Sequence, residues 1–153
     1  MIEPLRLTLT VDCPVSHAFS MWATRTSLWW PPGHTVTGED GLEIVFEPRR
    51  GGRIFERTPS GREEDWGEVL VWEPPARLAY LWHLRADRAD AAEVEIRFAP
   101  AREGGTLVAI EHRGWERLGA RGRPRRDANE RGWGGVLPVF AAACAADHER
   151  GVA

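Results

Sequence analysis

Lysine is absent from this chain of 153 residues: all 20 of its basic residues are arginine. The absence excludes Schiff-base and lysine-nucleophile chemistry by the chain's own residues. Cysteine is almost as scarce, and Cys13 and Cys144 fit neither a metal-binding spacing nor the disulfide framework of a secreted protein. Cys144 lies on an apolar helical face, where we expect a small buried hydrophobic residue.

Long hydrophobic runs are also missing. No apolar stretch approaches the roughly 20 residues that a membrane-spanning helix needs, and no basic start followed by an apolar segment indicates a signal peptide. The net charge of −3 provides no general attraction to nucleic acids or anionic lipids. We therefore expect a cytoplasmic protein with no membrane partner.

The composition is that of a folded protein, with 42% hydrophobic and 28% charged residues. The length is typical of one domain, so we expect residues 1–153 to form a single unit. Eight tryptophans against one tyrosine is unusual. Tryptophans bring a large contact area and usually fill cores or line apolar pockets.

The beginning of the chain reads as one strand and two short helices. Residues 5–11 alternate apolar and polar side chains, which predicts a half-buried strand. Pro14 then opens a helix whose apolar face carries Val15, Phe19 and Trp22 at positions i, i+4 and i+7. A second helical turn is expected over residues 27–30.

Strands punctuated by turns occupy residues 42–111. Segments with period-two alternation are separated by turns rich in glycine, proline and alanine. These connections are too short for the crossovers that parallel strands require, so the pattern favours an antiparallel sheet.

One apolar helix is predicted to close the chain at residues 133–148. Pro138 lies inside it and is expected to kink it, beside the yielding backbone of Gly134 and Gly135. The apolar stripe of this helix consists of Trp133, Val136, Leu137, Phe140 and Cys144. Together the patterns predict an α+β fold, a curved antiparallel sheet wrapped around a long C-terminal helix, with space for a ligand between them.

Several short motifs resemble one known family. The run WGEVLVWEPPARL at residues 66–78 resembles the central hairpin of the family of activator of heat-shock-protein-90 ATPase homologues, part of the START-like, helix-grip superfamily. The chain shares further motifs with it at residues 29–31, 51–53, 111–115 and 132–133. The resemblance extends over residues 5–148. It implies a single START-like domain with a deep, largely apolar cavity between sheet and helix.

Large side chains on faces that should turn inward are the candidates for ligand binding. For each of them the alternative is that it fills the core, because ligand sites are mostly apolar and one aromatic residue indicates little. The candidates are Trp30, Phe46, Phe55, Trp82, His112, Trp133 and Phe140.

His112 continues the face of Val108 and Ile110, so its ring is a candidate to point into the cavity. There it would orient a ligand hydroxyl or carbonyl, or act as a general base. The alternative is a histidine bonded to the backbone or to a neighbouring carboxylate. His83 alternates out of phase with Trp82 and is expected to face solvent. No residue is assigned a catalytic role, and no metal or cofactor is expected because the histidines show no ligand spacing.

Acid–base chemistry would require a carboxylate inside the cavity. The glutamates of the strands, Glu56 among them, mostly alternate with apolar residues and are interpreted as the solvated face. Glu68 and Arg57 are the exceptions to watch, because a β-bulge would turn either of them inward.

A cluster of arginines precedes the last helix. Arg121, Arg123, Arg125 and Arg126 surround a Gly and a Pro in a pattern that resembles the AT-hook, an extended segment that inserts arginines into the DNA minor groove. The alternative, a solvated loop, is favoured because a single hook on an acidic domain binds DNA weakly. We therefore do not expect nucleic acid as a partner.

The leading hypothesis is that the protein binds a small, mostly apolar molecule in its cavity, without catalysis. One alternative is a cyclase- or aromatase-like enzyme that acts on a bound hydrophobic substrate. A second alternative is a chaperone ATPase-activating or other protein-interaction domain, with a chaperone as its partner. This last hypothesis requires an exposed apolar patch and a small cavity.

Overall fold

The alternating segments form strands in the computed structural model, which describes residues 1–152, with side chains through residue 149. Within those residues the strands are β1 Leu5–Val11, β2 Glu43–Phe46, β3 Arg53–Arg57, β4 Glu63–Glu73, β5 Arg77–Trp82, β6 Ala92–Pro100 and β7 Thr106–Arg113. The expectation of one domain over residues 1–153 stays a prediction, and its last residue lies outside the described part.

All seven strands belong to one antiparallel sheet in the order β1-β7-β6-β5-β4-β3-β2. Strands β2 to β7 follow one another as hairpins, and β1 pairs with β7 from Leu5 opposite His112 to Val11 opposite Thr106. This pairing brings the beginning of the chain beside the strand that leads to the last helix. The predicted antiparallel sheet is confirmed.

Two α-helices accompany the sheet, α1 Val15–Ala23 and α2 Gly122–Val152. Five 3₁₀ turns complete the described residues: Thr26–Leu28, Pro32–His34, Arg88–Asp90, Arg102–Gly104 and Trp115–Arg121. The α+β helix-grip arrangement is confirmed. No helix among the described residues is long and apolar enough to cross a membrane.

The last helix is longer than its apolar stripe predicts. It begins at Gly122 rather than near residue 133, because its first three turns are polar and lack the periodic signal, while Pro124 is tolerated in the first turn. The stripe itself is correct, since Trp133, Val136, Phe140 and Cys144 are all buried. The helix continues through Pro138, and the kink expected there stays a prediction.

The arginine cluster is helical, so the solvated loop expected there is wrong, and so is the extended segment that an AT-hook requires. Gly122 to Arg126 form the first turns of α2. Arg121 donates to both carboxylate oxygens of Asp90 at 2.7 Å, and Arg126 donates to the backbone carbonyl of Glu3 at 2.6 Å. Two of the four arginines are thus used to attach the start of α2 to the rest of the fold.

Aromatic rings fill the space between the sheet and α2. Trp22 of α1 lies with its ring centroid 4.8 Å from Phe140 of α2 and 5.2 Å from Trp29. Trp30 continues the cluster towards the sheet, 5.2 Å from Trp66 of β4. Ring pairs at these separations contribute about 0.5–1.5 kcal/mol beyond the area they bury. Most of the tryptophans therefore form a packed core.

One carboxylate lies inside this fold, and its expected solvated position is wrong. Glu56 of β3 is 0% exposed because it shares the inward face of Ile54, while Arg53 and Arg57 point outward. It accepts hydrogen bonds from the amides of Val36 (2.7 Å) and Thr37 (3.0 Å).

The indole of Trp66 and the hydroxyl of Thr37 also donate to Glu56, at 2.7 and 2.8 Å. Burial opposes ionisation of this carboxyl, yet the hydrogen bonds outweigh burial and hold its pKa below the ordinary value. Glu56 thereby ties the segment after the Pro32–His34 turn to strand β3.

Replacing Glu56 by alanine should lower the free energy of unfolding by at least about 3 kcal/mol, because two amides and an indole N–H lose their buried acceptor. Glu56→Gln, which keeps one acceptor oxygen, should cost less. Urea denaturation measures both. The control is Glu43→Ala, which removes only an exposed ion pair with Arg57 and should cost less than about 1 kcal/mol. Equal losses for Glu56→Ala and Glu43→Ala would contradict the anchoring role.

Candidate ligand pocket

A pocket opens between α2 and the end of β5. Its volume is about 60 Å³, and half of its lining residues are only half-buried, so they form a mouth at the protein surface. The lining residues are Trp30, His34, Trp82, Leu84, Asn129, Gly132, Trp133 and Val136. A cavity of about 150 Å³ is needed to enclose a benzene ring. A ligand with an aromatic ring would therefore occupy both the pocket and its mouth.

Among the described residues, the space between sheet and helix is smaller than the deep cavity that the family resemblance implies. The aromatic core occupies the region where such a cavity would lie, with Trp22, Trp66 and Phe140 fully buried there. What remains is the pocket at one end of the helix-grip, bounded by three indole side chains.

The segment that carries His34 to the mouth is held from several sides. The indole N–H of Trp30 donates to the carbonyl of His34 at 2.9 Å. Arg85 donates to the carbonyls of Thr35 at 2.7 Å and Gly33 at 2.9 Å. The Glu56 carboxylate binds the two amides that follow. These bonds give the mouth a defined edge rather than a loose loop.

His112 of β7 lies behind the pocket, 0% exposed. Its Nδ1 accepts a hydrogen bond from the indole Nε1 of Trp133 at 3.0 Å. An indole N–H only donates, so Nδ1 must be the unprotonated nitrogen and Nε2 must carry the proton of the neutral ring. The contact between α2 and β7 therefore determines the tautomer of His112.

The Nε2–H group of His112 is buried and has no hydrogen-bond partner among the described residues. His112 borders a small polar space of about 10 Å³, which Asp90, Arg125 and Asn129 also line. That space adjoins the pocket, because Trp82, Leu84 and Asn129 line both. The residue with the unsatisfied donor thus borders a space that shares part of its wall with an apolar pocket.

Burial lowers the pKa of the His112 imidazole to about 3. The ring is therefore neutral at physiological pH and takes up a proton only with difficulty. This favours the hydrogen-bonding role of His112 over the general-base role, because an efficient base needs a pKa near the working pH.

Comparison with known proteins identifies the family of this chain. The family described as "Activator of Hsp90 ATPase homolog 1-like protein" matches residues 12–145. The chain belongs to this family. No curated protein matches it.

Solved structures of similar proteins agree with that membership. The anthrahydroquino-gamma-pyrone synthase Txn09 is 35% identical, with 80% of this chain and 84% of that chain covered and a TM-score of 0.57. The self-sacrificing resistance protein CalC from Micromonospora echinospora is 22% identical, with 92% and 93% covered and a TM-score of 0.67. Protein MLL2253 from Mesorhizobium loti is 19% identical, with 92% and 95% covered and a TM-score of 0.65. The last two show the shared fold.

The structure brings together some of the predicted site residues. Trp30, Trp82 and Trp133 line the pocket, and His112 borders the adjoining polar space. Their role in binding stays a prediction.

Three predicted site residues lie elsewhere. Phe46 packs against Tyr80 at 5.4 Å, and Phe140 lies in the core against Trp22. Phe55 is on the outer face of β3, where the guanidinium groups of Arg53 and Arg57 cover its ring at 4.2 and 5.2 Å. For Phe55 the inward assignment is wrong, because Ile54 and Glu56 occupy the inward positions of this short strand.

The position that the sequence pattern predicted for His83 is also wrong. It is 7% exposed rather than solvent-facing, because β5 ends at Trp82 and the alternation of the strand no longer applies. Its Nδ1 lies 3.2 Å from the carbonyl of Ala86. His83 borders the same small polar space as His112.

The charged candidates do not reach the pocket. Arg57 is paired on the outer surface with Glu43 and Glu63, and Glu68 is paired with Arg88. A register shift does occur where β3 pairs with β4: Ile54 lies opposite Gly67 and Phe55 opposite Asp65, so the extra residue is Trp66 of β4. Glu56, the inward carboxylate, is surrounded by donors and does not line the pocket. Among the described residues, no group of three or more His, Cys, Asp or Glu side chains is placed to bind a metal.

The sequence pattern missed several lining residues on α2. Asn129, Gly132 and Val136 share one helical face with Trp133, at the spacing i, i+3, i+4 and i+7. The signal was available, but the predicted helix began at Trp133, so Asn129 and Gly132 were left outside it. A helix predicted to begin one turn earlier would have included Asn129 and Gly132 on the same face.

The buried state of His112 predicts a pH-dependent stability. In the unfolded chain its imidazole binds a proton below about pH 6.5, whereas in the fold it stays neutral down to about pH 3. Protonation therefore favours unfolding as the pH falls, by about 2 kcal/mol between pH 8 and pH 5. Urea denaturation at the two pH values should show this loss in the wild type and a correspondingly smaller one in His112→Gln. Parallel losses in the two proteins would contradict the buried neutral state.

Proposed function

We propose that the protein binds a small, mostly apolar, ring-containing molecule at the pocket of Trp30, Trp82 and Trp133. The molecule carries an oxygen that accepts a hydrogen bond from Nε2 of His112. The observation that carries the proposal is the buried Nε2–H of His112, which has no partner among the described residues and belongs to a side chain bordering the space that adjoins the pocket.

The energetics of that donor support the proposal. A buried donor without a partner costs about 1–3 kcal/mol relative to a satisfied one. A ligand carbonyl or ether oxygen that reached Nε2 would remove this cost and gain a hydrogen bond. Apolar walls with a few placed polar groups are the usual composition of small-molecule sites.

The similarity to Txn09 supports the same class of ligand. That protein is an anthrahydroquino-gamma-pyrone synthase, and a compound of that name is an aromatic ring system bearing oxygen atoms. Rings of this kind would pack against the three indoles, and their carbonyl oxygens would be acceptors for His112.

Two probes of equal ring size test the proposal. Chromone has two fused six-membered rings and a carbonyl oxygen, whereas naphthalene has the two rings and no oxygen. NMR titration should show the indole Nε1–H signal of Trp133 shifting with both. Chromone should bind about tenfold more tightly, because one additional hydrogen bond contributes about 1–1.5 kcal/mol.

The role of His112 is tested by the ratio of the affinities for chromone and naphthalene. In His112→Phe the preference for chromone should fall to less than about twofold, since the donor is lost. His112→Gln provides a second variant that keeps a polar group in contact with Trp133. His148→Phe, on a histidine remote from the pocket, should keep the wild-type ratio. Equal affinities of the wild type for chromone and naphthalene, or no binding of either, would reject the proposal.

A cyclase-like activity is the second candidate, and the similarity to a synthase favours it. The substrate for its test is 1-(2-hydroxyphenyl)-1,3-butanedione, whose ring closure gives 2-methylchromone and one water molecule. Faster ring closure that is abolished in His34→Ala, the titratable side chain in the pocket lining, would support an enzyme. A rate equal to that in buffer would leave binding as the function.

A protein-interaction role is the third candidate, because the pocket is small and Leu28 is 65% exposed next to the aromatic core. The family name makes Hsp90 the partner to test. Stimulation of Hsp90 ATPase activity that Leu28→Ser reduces would support this role over ligand binding.

A further inference from the structure

A glycine forms part of the pocket wall in the interior of α2. Gly132 lies well inside this long helix, between Asn129 and Trp133. Glycine is unfavourable there, because it loses more backbone freedom on folding than alanine does. Two structural features can require a glycine inside a helix: a backbone conformation that excludes other residues, or a neighbour that excludes a Cβ atom.

Neither structural reason applies at Gly132. Its φ is not positive, and a Cβ atom built on it would meet no heavy atom of the described residues within 4 Å, the backbone of its own helical turns aside. Two other glycines, by contrast, are required by close neighbours. A Cβ on Gly67 would lie 1.8 Å from the carbonyl oxygen of Leu81, and one on Gly122 would lie 2.4 Å from that of Trp115.

The space beside Gly132 is the pocket itself. Gly134, two residues further along α2, is the useful comparison. It also has open space around its Cβ position, but it is exposed on another face of the helix and does not line the pocket. The two glycines thus share a helix and a lack of crowding, and they differ in whether they face the pocket.

We infer that Gly132 is a specificity-determining residue, at which the bare backbone of α2 lets a flat aromatic ring lie directly against the helix. The inference rests on the proposed function. A ring in van der Waals contact with the Cα atom of Gly132 would be about 3.5–4 Å from it. Any side chain at this position would project into the volume that the ring occupies. The indoles of Trp30, Trp82 and Trp133 supply the remaining apolar walls.

Gly132 and His112 then select different properties of the ligand. Gly132 selects a flat ring by shape, so its replacement should weaken chromone and naphthalene alike. His112 selects an acceptor oxygen, so its replacement should change the ratio of the two affinities. The affinity for both probes therefore tests the inference on Gly132, whereas the ratio of the two affinities tests the proposed role of His112.

The test uses four variants of the full chain: Gly132→Ala, Gly132→Leu, Gly134→Ala and Gly134→Leu. Both alanine variants should raise the melting temperature by about 1–4 °C, because alanine is the better helix former and no neighbour opposes its methyl group. Gly132→Ala should weaken chromone and naphthalene by about tenfold each, and Gly132→Leu should abolish binding of both. Both Gly134 variants should bind within about twofold of the wild type.

Three results would overturn the inference. A lower melting temperature for Gly132→Ala would show that the glycine is needed by the fold. Unchanged binding of both probes to Gly132→Leu, while the wild type binds them, would show that the ring lies elsewhere and would leave the proposed function standing. Failure of the wild type to bind either probe would reject the proposed function, and the inference with it.

Discussion

The hydrogen bond from the indole of Trp133 to Nδ1 of His112 joins α2 to β7 inside the protein. Both groups are buried, so each would be left unsatisfied if the helix shifted along the sheet. The bond therefore helps to fix where α2 lies on the sheet, together with the Trp22–Phe140 contact and the ion pair of Arg121 with Asp90. It also determines which nitrogen of His112 carries the proton. The tautomer of His112 and the placement of the Trp133 indole in the pocket wall both depend on this contact.

The aromatic residues explain why the pocket is small. A helix gripped by a sheet encloses a volume that side chains or a ligand must fill, since protein interiors are close-packed. Here Trp22, Trp29, Trp66 and Phe140 fill most of it, with centroid separations of about 5 Å for the pairs among them that are in contact. The remaining space lies at the end near β5, where the chain places Gly132 rather than another large side chain. The space left for the proposed ligand therefore lies at the surface end of the helix-grip.

Among the residues that the structure describes, no Asp, Glu or Arg side chain lines the pocket itself, although Asp90 and Arg125 border the polar space beside it. Glu56 is the inward carboxylate of β3, but its four donors satisfy it and hold a neighbouring segment in place. His112 is neutral because it is buried. The outer face of the sheet carries paired ions instead, such as Arg77 and Arg113 with Glu95. A site with these properties suits hydrogen bonding and apolar contact better than proton transfer.

The sequence by itself determined the antiparallel sheet, the closing helix and its buried stripe, because period-two and period-3.6 patterns depend only on which face of an element meets the core. It also indicated Trp30, Trp82 and Trp133, which line the pocket, and His112, which borders the adjoining space. It could not place Phe55 or Glu56, since a strand of five residues with apolar and polar side chains on both faces has no unique inward side. The depth of the cavity, the partner of His112 and the open space at Gly132 were decided only by tertiary structure. Each depends on how residues distant in the chain pack against one another, and no local pattern contains that information.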